Sequence, residues 1–287
     1  MNRFDGRTVL ITGASRGLGA GLAKAFWGEG AHVILVARSA EKMQDLVKTF
    51  EFRPNQKVLT VSVDLKKSES PFQILTETKN NFEKLDVLIN NAAVQGPIGP
   101  FRENDWEAWK ETLQIDLLAP VLLSRLFIPW MAGEGRGKII NLSGGGAAGP
   151  RTHFSAYATA KTGLVRFSEI LAEETRSLGI DVNCVAPGVM GTSLLTDILE
   201  AGPDLAGPKE YEQAQGVLQS KEDSMGRAVA LCLFLASPAG DGITGKLISA
   251  VWDPWETLPD HLADLKRTDL YTLRRIVPPE RGLEWGA

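Results

Sequence analysis

The octapeptide Thr12-Gly13-Ala14-Ser15-Arg16-Gly17-Leu18-Gly19 carries the clearest structural signal in this 287-residue sequence. It follows a short apolar run and precedes an amphipathic segment that continues through Leu22 and Phe26. Glycine allows a tight turn and close approach of the backbone to a ligand, and free N–H groups at the start of a helix stabilise a phosphate. A glycine-rich turn between a strand and a helix therefore indicates a bound dinucleotide, the alternative being an ordinary strand-to-helix turn.

The remaining chain repeats this alternation of short apolar runs and longer amphipathic segments. The predicted strands cover residues 8–12, 33–36, 58–63, 87–89, 138–142, 181–185 and 246–251. The predicted helices lie near residues 17–29, 40–52, 69–83, 104–132, 155–178 and 224–236. Alternation of strand and helix is typical of a parallel sheet, because parallel neighbours need a crossover connection. We therefore predict an α/β fold with a doubly wound seven-stranded parallel sheet, whose ligands bind beyond the carboxyl ends of the strands.

Composition excludes several classes of function. The 31 Lys and Arg residues against 35 Asp and Glu residues give a net charge of −4, without the basic block expected of a nucleic-acid-binding protein. No apolar run approaches the roughly 20 residues of a membrane helix, and no signal-peptide core begins the chain. Cys184 and Cys232 lie in separate apolar contexts, and the three histidines lack metal-ligand spacing. We expect a cytoplasmic protein with buried cysteines, no metal, no membrane and no nucleic-acid partner.

Four motifs in this order resemble those of the classical short-chain dehydrogenase/reductase family. They are the glycine turn, which matches TGxxxGxG, then Asn90-Asn91-Ala92-Ala93, Tyr157-Ala158-Thr159-Ala160-Lys161, and Pro187-Gly188. Together they span roughly residues 5–250, and the nearest likeness is to the 3-oxoacyl carrier-protein reductase branch. The resemblance implies a Rossmann fold and an oxidoreductase that interconverts a carbonyl and an alcohol. It also implies a homodimer or homotetramer.

Charge at the end of the second strand indicates which nicotinamide cofactor binds. An NAD enzyme needs a carboxylate there for the ribose hydroxyls, whereas this chain has Arg38. Arg38 and Arg16 suit a 2′-phosphate, so we predict NADP(H), the alternative being that both arginines face solvent. By the resemblance Asp64 would hydrogen-bond the adenine, although it could instead cap a helix. The full set of predicted cofactor-binding residues is Gly13, Ser15, Arg16, Gly17, Leu18, Gly19, Arg38, Asp64, Leu65, Asn90, Ala92, Tyr157, Lys161, Pro187, Gly188, Val189 and Thr192.

Tyr157 and Lys161 are the predicted reacting pair. They are four residues apart, so they share one face of a helix. A phenol titrates near 10, and acid/base work near neutral pH requires a shift of about 3 units, or roughly 4 kcal/mol. A neighbouring ammonium and the positive ring of an oxidised nicotinamide both favour the phenolate.

Two positions depart from the family pattern. The family's serine stands thirteen residues before the tyrosine, where this chain has Gly144, so we predict that Ser143 orients the substrate oxygen. The alternatives are that this function is absent or belongs to Ser155. Asp116 stands where the family carries an asparagine that holds a relay water behind the lysine. It could hold that water, pair directly with Lys161, or be a carboxylate without a catalytic part.

Two segments fall outside the regular alternation. Residues 188–223 form a glycine-interrupted excursion after the sixth strand, which we predict to line the substrate site within a domain of residues 1–251. Residues 252–287 form a tryptophan-rich tail, which we predict to close over the cleft or to pack on the domain or a neighbouring subunit. His153 is a possible substrate-side residue.

The leading prediction for function is an NADP(H)-dependent oxidoreductase acting on a small carbonyl or alcohol. Two rival functions remain open. One is a non-catalytic NADP(H)-binding sensor or scaffold, suggested by Gly144 and Asp116. The other is a sugar-nucleotide epimerase or dehydratase of the extended branch, although that branch carries TGxxGxxG and a larger C-terminal domain.

Overall fold

A computed structural model of the protein describes residues 2–219 and 223–285. Its strands are β1 (Thr8–Thr12), β2 (His32–Ala37), β3 (Val58–Ser62), β4 (Val87–Asn90), β5 (Gly137–Leu142), β6 (Ile180–Ala186) and β7 (Leu247–Ser249). They form one parallel sheet in the order β3-β2-β1-β4-β5-β6-β7. The predicted doubly wound seven-stranded sheet is confirmed. The order reverses between β1 and β4, which is where ligands of such sheets bind.

Helices cover both faces of the sheet. They are α1 (Gly17–Gly28), α2 (Ala40–Lys48), α3 (Ser70–Asn81), α4 (Trp106–Leu113), α5 (Ala119–Gly133), α6 (Ser155–Thr175), α7 (Ser193–Ala206), α8 (Pro208–Gln219), α9 (Ser224–Ala236) and α10 (Leu262–Arg267). Every predicted helix is present, within a few residues at its ends. The sequence did not predict α7 and α8, because the Gly202-Pro203 and Gly207-Pro208 pairs were interpreted as breaks, whereas α7 bends at Gly202 and continues.

The two faces of the sheet form separate hydrophobic cores. Val9 and Ile11 of β1 belong to one core, and Leu10 between them belongs to the other. Successive strand residues point to opposite faces, so a strand that is covered on both sides is apolar at every position. This explains why the strands appear in the sequence as continuous apolar runs.

The segment between α4 and α5 is a π-helical turn, Gln114–Leu118. The combined helix Trp106–Gly133 is long and apolar enough, by length and composition, to cross a membrane. We expected no segment with the length and apolar composition of a membrane helix, and that expectation was wrong. A buried core helix meets the same measure, and Ile115, Leu123 and Phe127 of this helix pack in one of the two cores.

The chain beyond β7 packs on the fold along most of its described length. Trp255, Leu258 and Leu265 belong to the core that contains α9. The Leu247 N–H donates to the Tyr271 carbonyl over 2.8 Å, so the tail also covers the free edge of β7. Residues 286–287 of the predicted tail and 220–222 of the predicted excursion lie outside the described residues.

Candidate active site

A cavity of about 1480 Å³ opens beyond the carboxyl ends of the central strands. It begins at the glycine turn between β1 and α1 and passes the ends of β2, β4, β5 and β6. Helices α7 and α8 contribute its far wall. The position agrees with the site predicted for a doubly wound sheet.

The glycine turn is packed too closely for side chains. A Cβ on Gly13, whose φ is +67°, would lie 2.8 Å from the Ala92 Cα, and a Cβ on Gly19 would collide with the Gly13 carbonyl. Thr12 joins this turn to the segment after β4, because its hydroxyl accepts from the N–H groups of Asn91 and Ala92, each over 3.0 Å. Helix α1 has no side-chain cap and no acidic residue in its first turn. Such a helix start suits the pyrophosphate of a dinucleotide.

Most of the predicted cofactor-binding residues line this cavity, from Gly13 to Thr192. Asn90 was predicted to line it and does not. Its side chain is buried and donates to Asn141 Oδ1 over 2.8 Å, while the next residue, Asn91, lines the cavity. Asp64 is not the N-cap of α3, because Glu69 holds that position. Its Oδ1 accepts from the Lys66 N–H over 3.1 Å, and the residue lines the cavity.

Three cationic residues border the cavity near the ends of β1 and β2. Arg16 and Arg38 are exposed, and Lys42 is placed beside them by the N-cap of α2, where the Ser39 hydroxyl accepts from the Lys42 N–H. Lys42 was not predicted as a cavity residue, although its position four residues after Arg38, on the helix that follows β2, could have indicated it. Three cations at this part of the cavity provide donors that suit an anionic group.

Tyr157, Lys161 and Asp116 form a buried cluster at the inner wall. The Lys161 Nζ lies 5.5 Å from the centre of the Tyr157 ring and donates to the Leu142 carbonyl over 3.0 Å. It also lies 3.4 Å from Asp116 Oδ2, and both side chains of this ion pair are at most 2% exposed. The other carboxylate oxygen, Oδ1, accepts from the Val94 N–H over 2.9 Å. Of the alternatives open for Asp116, the structure contains the direct pair with Lys161.

The pKa values in this cluster are governed first by burial. Desolvation raises the pKa of the Asp116 carboxyl to about 6, although Lys161 opposes the rise. Asp116 and Tyr157 hold the pKa of Lys161 above its ordinary value despite its burial. Burial also raises the pKa of Tyr157, outweighing the lowering by Lys161. The expected effect of Lys161 is therefore present, but the Tyr157 pKa moves upward overall and its hydroxyl is protonated at neutral pH.

Ser143 and Gly144 occupy the loop where the family carries its serine. The Ser143 hydroxyl is buried and has no hydrogen-bond partner among the described residues, and Ser143 lines the cavity. A Cβ on Gly144 would collide with the Tyr157 hydroxyl and lie 2.9 Å from two of its ring carbons. Ser155 is directed elsewhere, because its hydroxyl accepts from the Trp109 indole N–H over 3.1 Å. The geometry favours Ser143 over Ser155 as a group that meets the substrate oxygen.

Two further residues lie in the loop between β5 and α6: His153, which was a predicted substrate-side residue, and Arg151, which was not predicted. His153 does not line the cavity; its Nδ1 lies 2.5 Å from the Leu205 carbonyl, where it joins the loop before α6 to α7. Arg151 does line it, and its guanidinium carbon lies 5.7 Å from the centre of the Tyr157 ring. Arg151 was not predicted, because its partner, Glu210, is 59 residues away in the chain.

Comparison with known proteins agrees with this geometry. The family model described as short chain dehydrogenase matches residues 7–202. L-fucose dehydrogenase of Oryctolagus cuniculus is 31% identical over 83% of this chain and 81% of that protein. D-beta-hydroxybutyrate dehydrogenase of Cupriavidus necator is 29% identical over 87% of this chain and 96% of that protein. The crystal structure of L-sorbose reductase from Gluconobacter frateurii, complexed with NADPH and L-sorbose, is 28% identical. It superposes with a TM-score of 0.75 over 87% of this chain and 97% of that one.

Proposed function

This chain belongs to the short-chain dehydrogenase family and acts on CH–OH groups, and we propose that it is an NADP(H)-dependent reductase that uses Tyr157 as its acid/base. The observation that carries the proposal is the buried Tyr157–Lys161 pair on α6, placed in the same cavity as the glycine turn. The 3-oxoacyl carrier-protein reductase branch, the homo-oligomer and the cytoplasmic location stay predictions.

The residues of the cavity fit a dinucleotide with a 2′-phosphate. Gly13 and Gly19 have no side chains, so the backbone at the start of α1 is open to a pyrophosphate. Arg16, Arg38 and Lys42 line the cavity near the end of β2. No carboxylate stands at the end of β2 itself, where Arg38 follows Ala37. When bound, the cofactor supplies or accepts the hydride at the substrate carbon. Pro187, Gly188, Val189 and Thr192 would contact its nicotinamide end.

Tyr157 moves the proton at the substrate oxygen. In reduction its hydroxyl donates to the carbonyl oxygen, and in oxidation its phenolate removes the alcohol proton. Lys161 stabilises the phenolate by charge, and Asp116 keeps Lys161 protonated within the apolar interior. Ser143 orients the substrate oxygen with its unpartnered hydroxyl. Burial raises the pKa of Tyr157 above its ordinary value of 10, so at neutral pH the hydroxyl carries the proton that reduction requires.

The activity is tested with purified protein, NADPH, and a panel of ketones, aldehydes and hydroxy acids. Replacing Tyr157 with Phe removes the proton donor, and we expect kcat to fall by about 100- to 10,000-fold. The NADPH Kd of this variant should stay within a few-fold of the parent. A Tyr157→Phe variant that keeps full turnover, or a parent that binds NADPH but reduces nothing, would contradict the proposal and favour a non-catalytic binder.

Cofactor preference is tested separately by Arg38→Asp. Loss of a charge-assisted hydrogen bond to the 2′-phosphate costs about 1.5–3 kcal/mol. The ratio of kcat/KM for NADPH to that for NADH should therefore fall by about 10- to 100-fold. Arg102→Asp is the matched control, because Arg102 is an exposed arginine that does not line the cavity. An unchanged ratio in Arg38→Asp would show that the chain does not distinguish the cofactors at this position.

A further inference from the structure

Arg151 is a largely buried cation beside the reacting tyrosine, and the proton chemistry above does not require it. It lies in the loop between β5 and α6, and its side chain is 13% exposed. The guanidinium carbon lies 3.9 Å from the centre of the Phe154 ring and 5.7 Å from that of Tyr157. Stacking on Phe154, which is fully buried, fixes the plane of the guanidinium.

The loop beside Ser143 lies next to this side chain. A Cβ on Gly145 would touch the Cδ and Nε of Arg151 at 3.6 Å. A Cβ on Gly146, whose φ is +91°, would approach the Arg151 Cβ to 3.0 Å. Gly144 thus leaves room for the Tyr157 hydroxyl. At Gly145 a side chain would make ordinary contact with Arg151, and at Gly146 the nearest atom is the Ala158 Cβ at 2.8 Å.

The guanidinium is only partly satisfied within the described residues. Its Nη2 donates to Glu210 Oε2 of α8 over 2.8 Å, and no other hydrogen bond of this group occurs in that part of the chain. A guanidinium has five N–H donors in a planar fork, and a carboxylate matches two of them at once. No Arg151 nitrogen is among the fully buried unpartnered atoms of the described residues, and Arg151 lines the cavity, so its remaining N–H groups are accessible to an acceptor there.

We propose that Arg151 binds a carboxylate on the substrate, so that the enzyme prefers keto acids and hydroxy acids to their neutral analogues. This inference rests on the proposed function, because it places the acid group in the cavity that Tyr157 serves. Glu210 occupies one N–H group of the fork and competes weakly with the substrate, since its side chain is 26% exposed. The remaining donors bind the carboxylate. Because the guanidinium carbon lies only 5.7 Å from the centre of the Tyr157 ring, the proposal concerns acids whose ketone and carboxylate are close together, such as acetoacetate and levulinate.

The test compares levulinate with methyl levulinate, which differ in charge but present the same ketone. The readout is the ratio of kcat/KM for the acid to that for the ester, followed by NADPH oxidation. We expect the parent to prefer the acid, and Arg151→Gln to lower the ratio by about 10- to 100-fold. Arg151→Lys should retain part of the preference, because the charge stays but the fork is lost. Glu210→Gln should raise the ratio, because a competing carboxylate is removed.

Arg176→Gln is the matched control, since Arg176 also pairs with a glutamate, Glu173, but lies at the end of α6 outside the cavity. Its ratio should equal that of the parent. If Arg151→Gln and Glu210→Gln each lower kcat/KM for the acid and for the ester by the same factor, the Arg151–Glu210 ion pair only holds α8 against the loop. The proposal is then wrong. A parent that favours the ester also overturns it.

A binding measurement separates this proposal from the proposed function. Thermal denaturation with levulinate or methyl levulinate, in the presence of NADPH, requires no hydride transfer. Stabilisation by levulinate that Arg151→Gln abolishes supports the carboxylate site even if no substrate is turned over. Equal stabilisation of the parent by acid and ester, or none by either, refutes it.

Discussion

Gly144→Ser places a serine where the family resemblance expects one, and we predict that it slows the enzyme by about 100-fold. A Cβ at this position would lie 2.9 Å from two ring carbons of Tyr157, whereas ordinary contact begins at 3.4 Å. The ring must therefore retreat by at least 3.4 − 2.9 = 0.5 Å, and the hydroxyl by more, because the Cβ would collide with it directly. A displacement of about 1 Å in a reacting group costs about 100-fold in rate.

The loss should appear in catalysis more than in stability. The group that must move is the end of a side chain, so overpacking should cost no more than about 1–3 kcal/mol of unfolding free energy. We expect kcat/KM for ketone reduction to fall by about 100-fold, with the NADPH Kd little changed. Gly144→Ala carries the same Cβ without the hydroxyl and should lose a similar factor. A Gly144→Ser variant that matches or exceeds the parent would refute the reasoning, since it would mean that Tyr157 and the loop are arranged differently during turnover.

Three further predictions follow from buried groups. Burial is the main cause that raises the pKa of Tyr157, and the Asp116 charge adds to it. Asp116→Asn should therefore move the acid limb of the kcat profile for alcohol oxidation to lower pH, and no movement would contradict the coupling. Because burial raises the Asp116 pKa to about 6, its contribution to stability is complete below its ordinary value of 3.8 and is lost as pH rises through about 6. The parent should therefore lose unfolding free energy over that interval relative to Asp116→Asn in urea titrations, and parallel pH curves would disprove this. Trp255→Ala should lower the free energy of unfolding by about 3–5 kcal/mol in the same titrations, since the indole is 7% exposed and packs on Phe234. Trp252 is 82% exposed, so Trp252→Ala should lower it by about 0.5 kcal/mol or less. Equal losses in the two variants would show that the tail is not part of the core.

The parts of the site that lie within one element could be predicted from the sequence. One octapeptide contains the end of β1, the glycine turn and the start of α1. Its conformation and its suitability for a phosphate therefore follow from neighbouring residues. Tyr157 and Lys161 share a helix face because of their spacing, and this is independent of the rest of the chain. The π-helical turn at Asp116 was not predictable, because its hydrogen-bond pattern leaves no composition signal.

The sequence alone determined the seven strands, the crossover helices and the shared helix face of Tyr157 and Lys161, because hydrophobic period and residue spacing are properties of a few consecutive residues. Only the tertiary structure decided that Asn91 rather than Asn90 meets the cavity, that Asp116 pairs with Lys161, and that Arg151 reaches Glu210. Those contacts join residues that are far apart in the chain, and their distances depend on how whole layers pack. The direction of the Tyr157 pKa belongs to the same class, since it is the balance between burial and neighbouring charges that folding brings together.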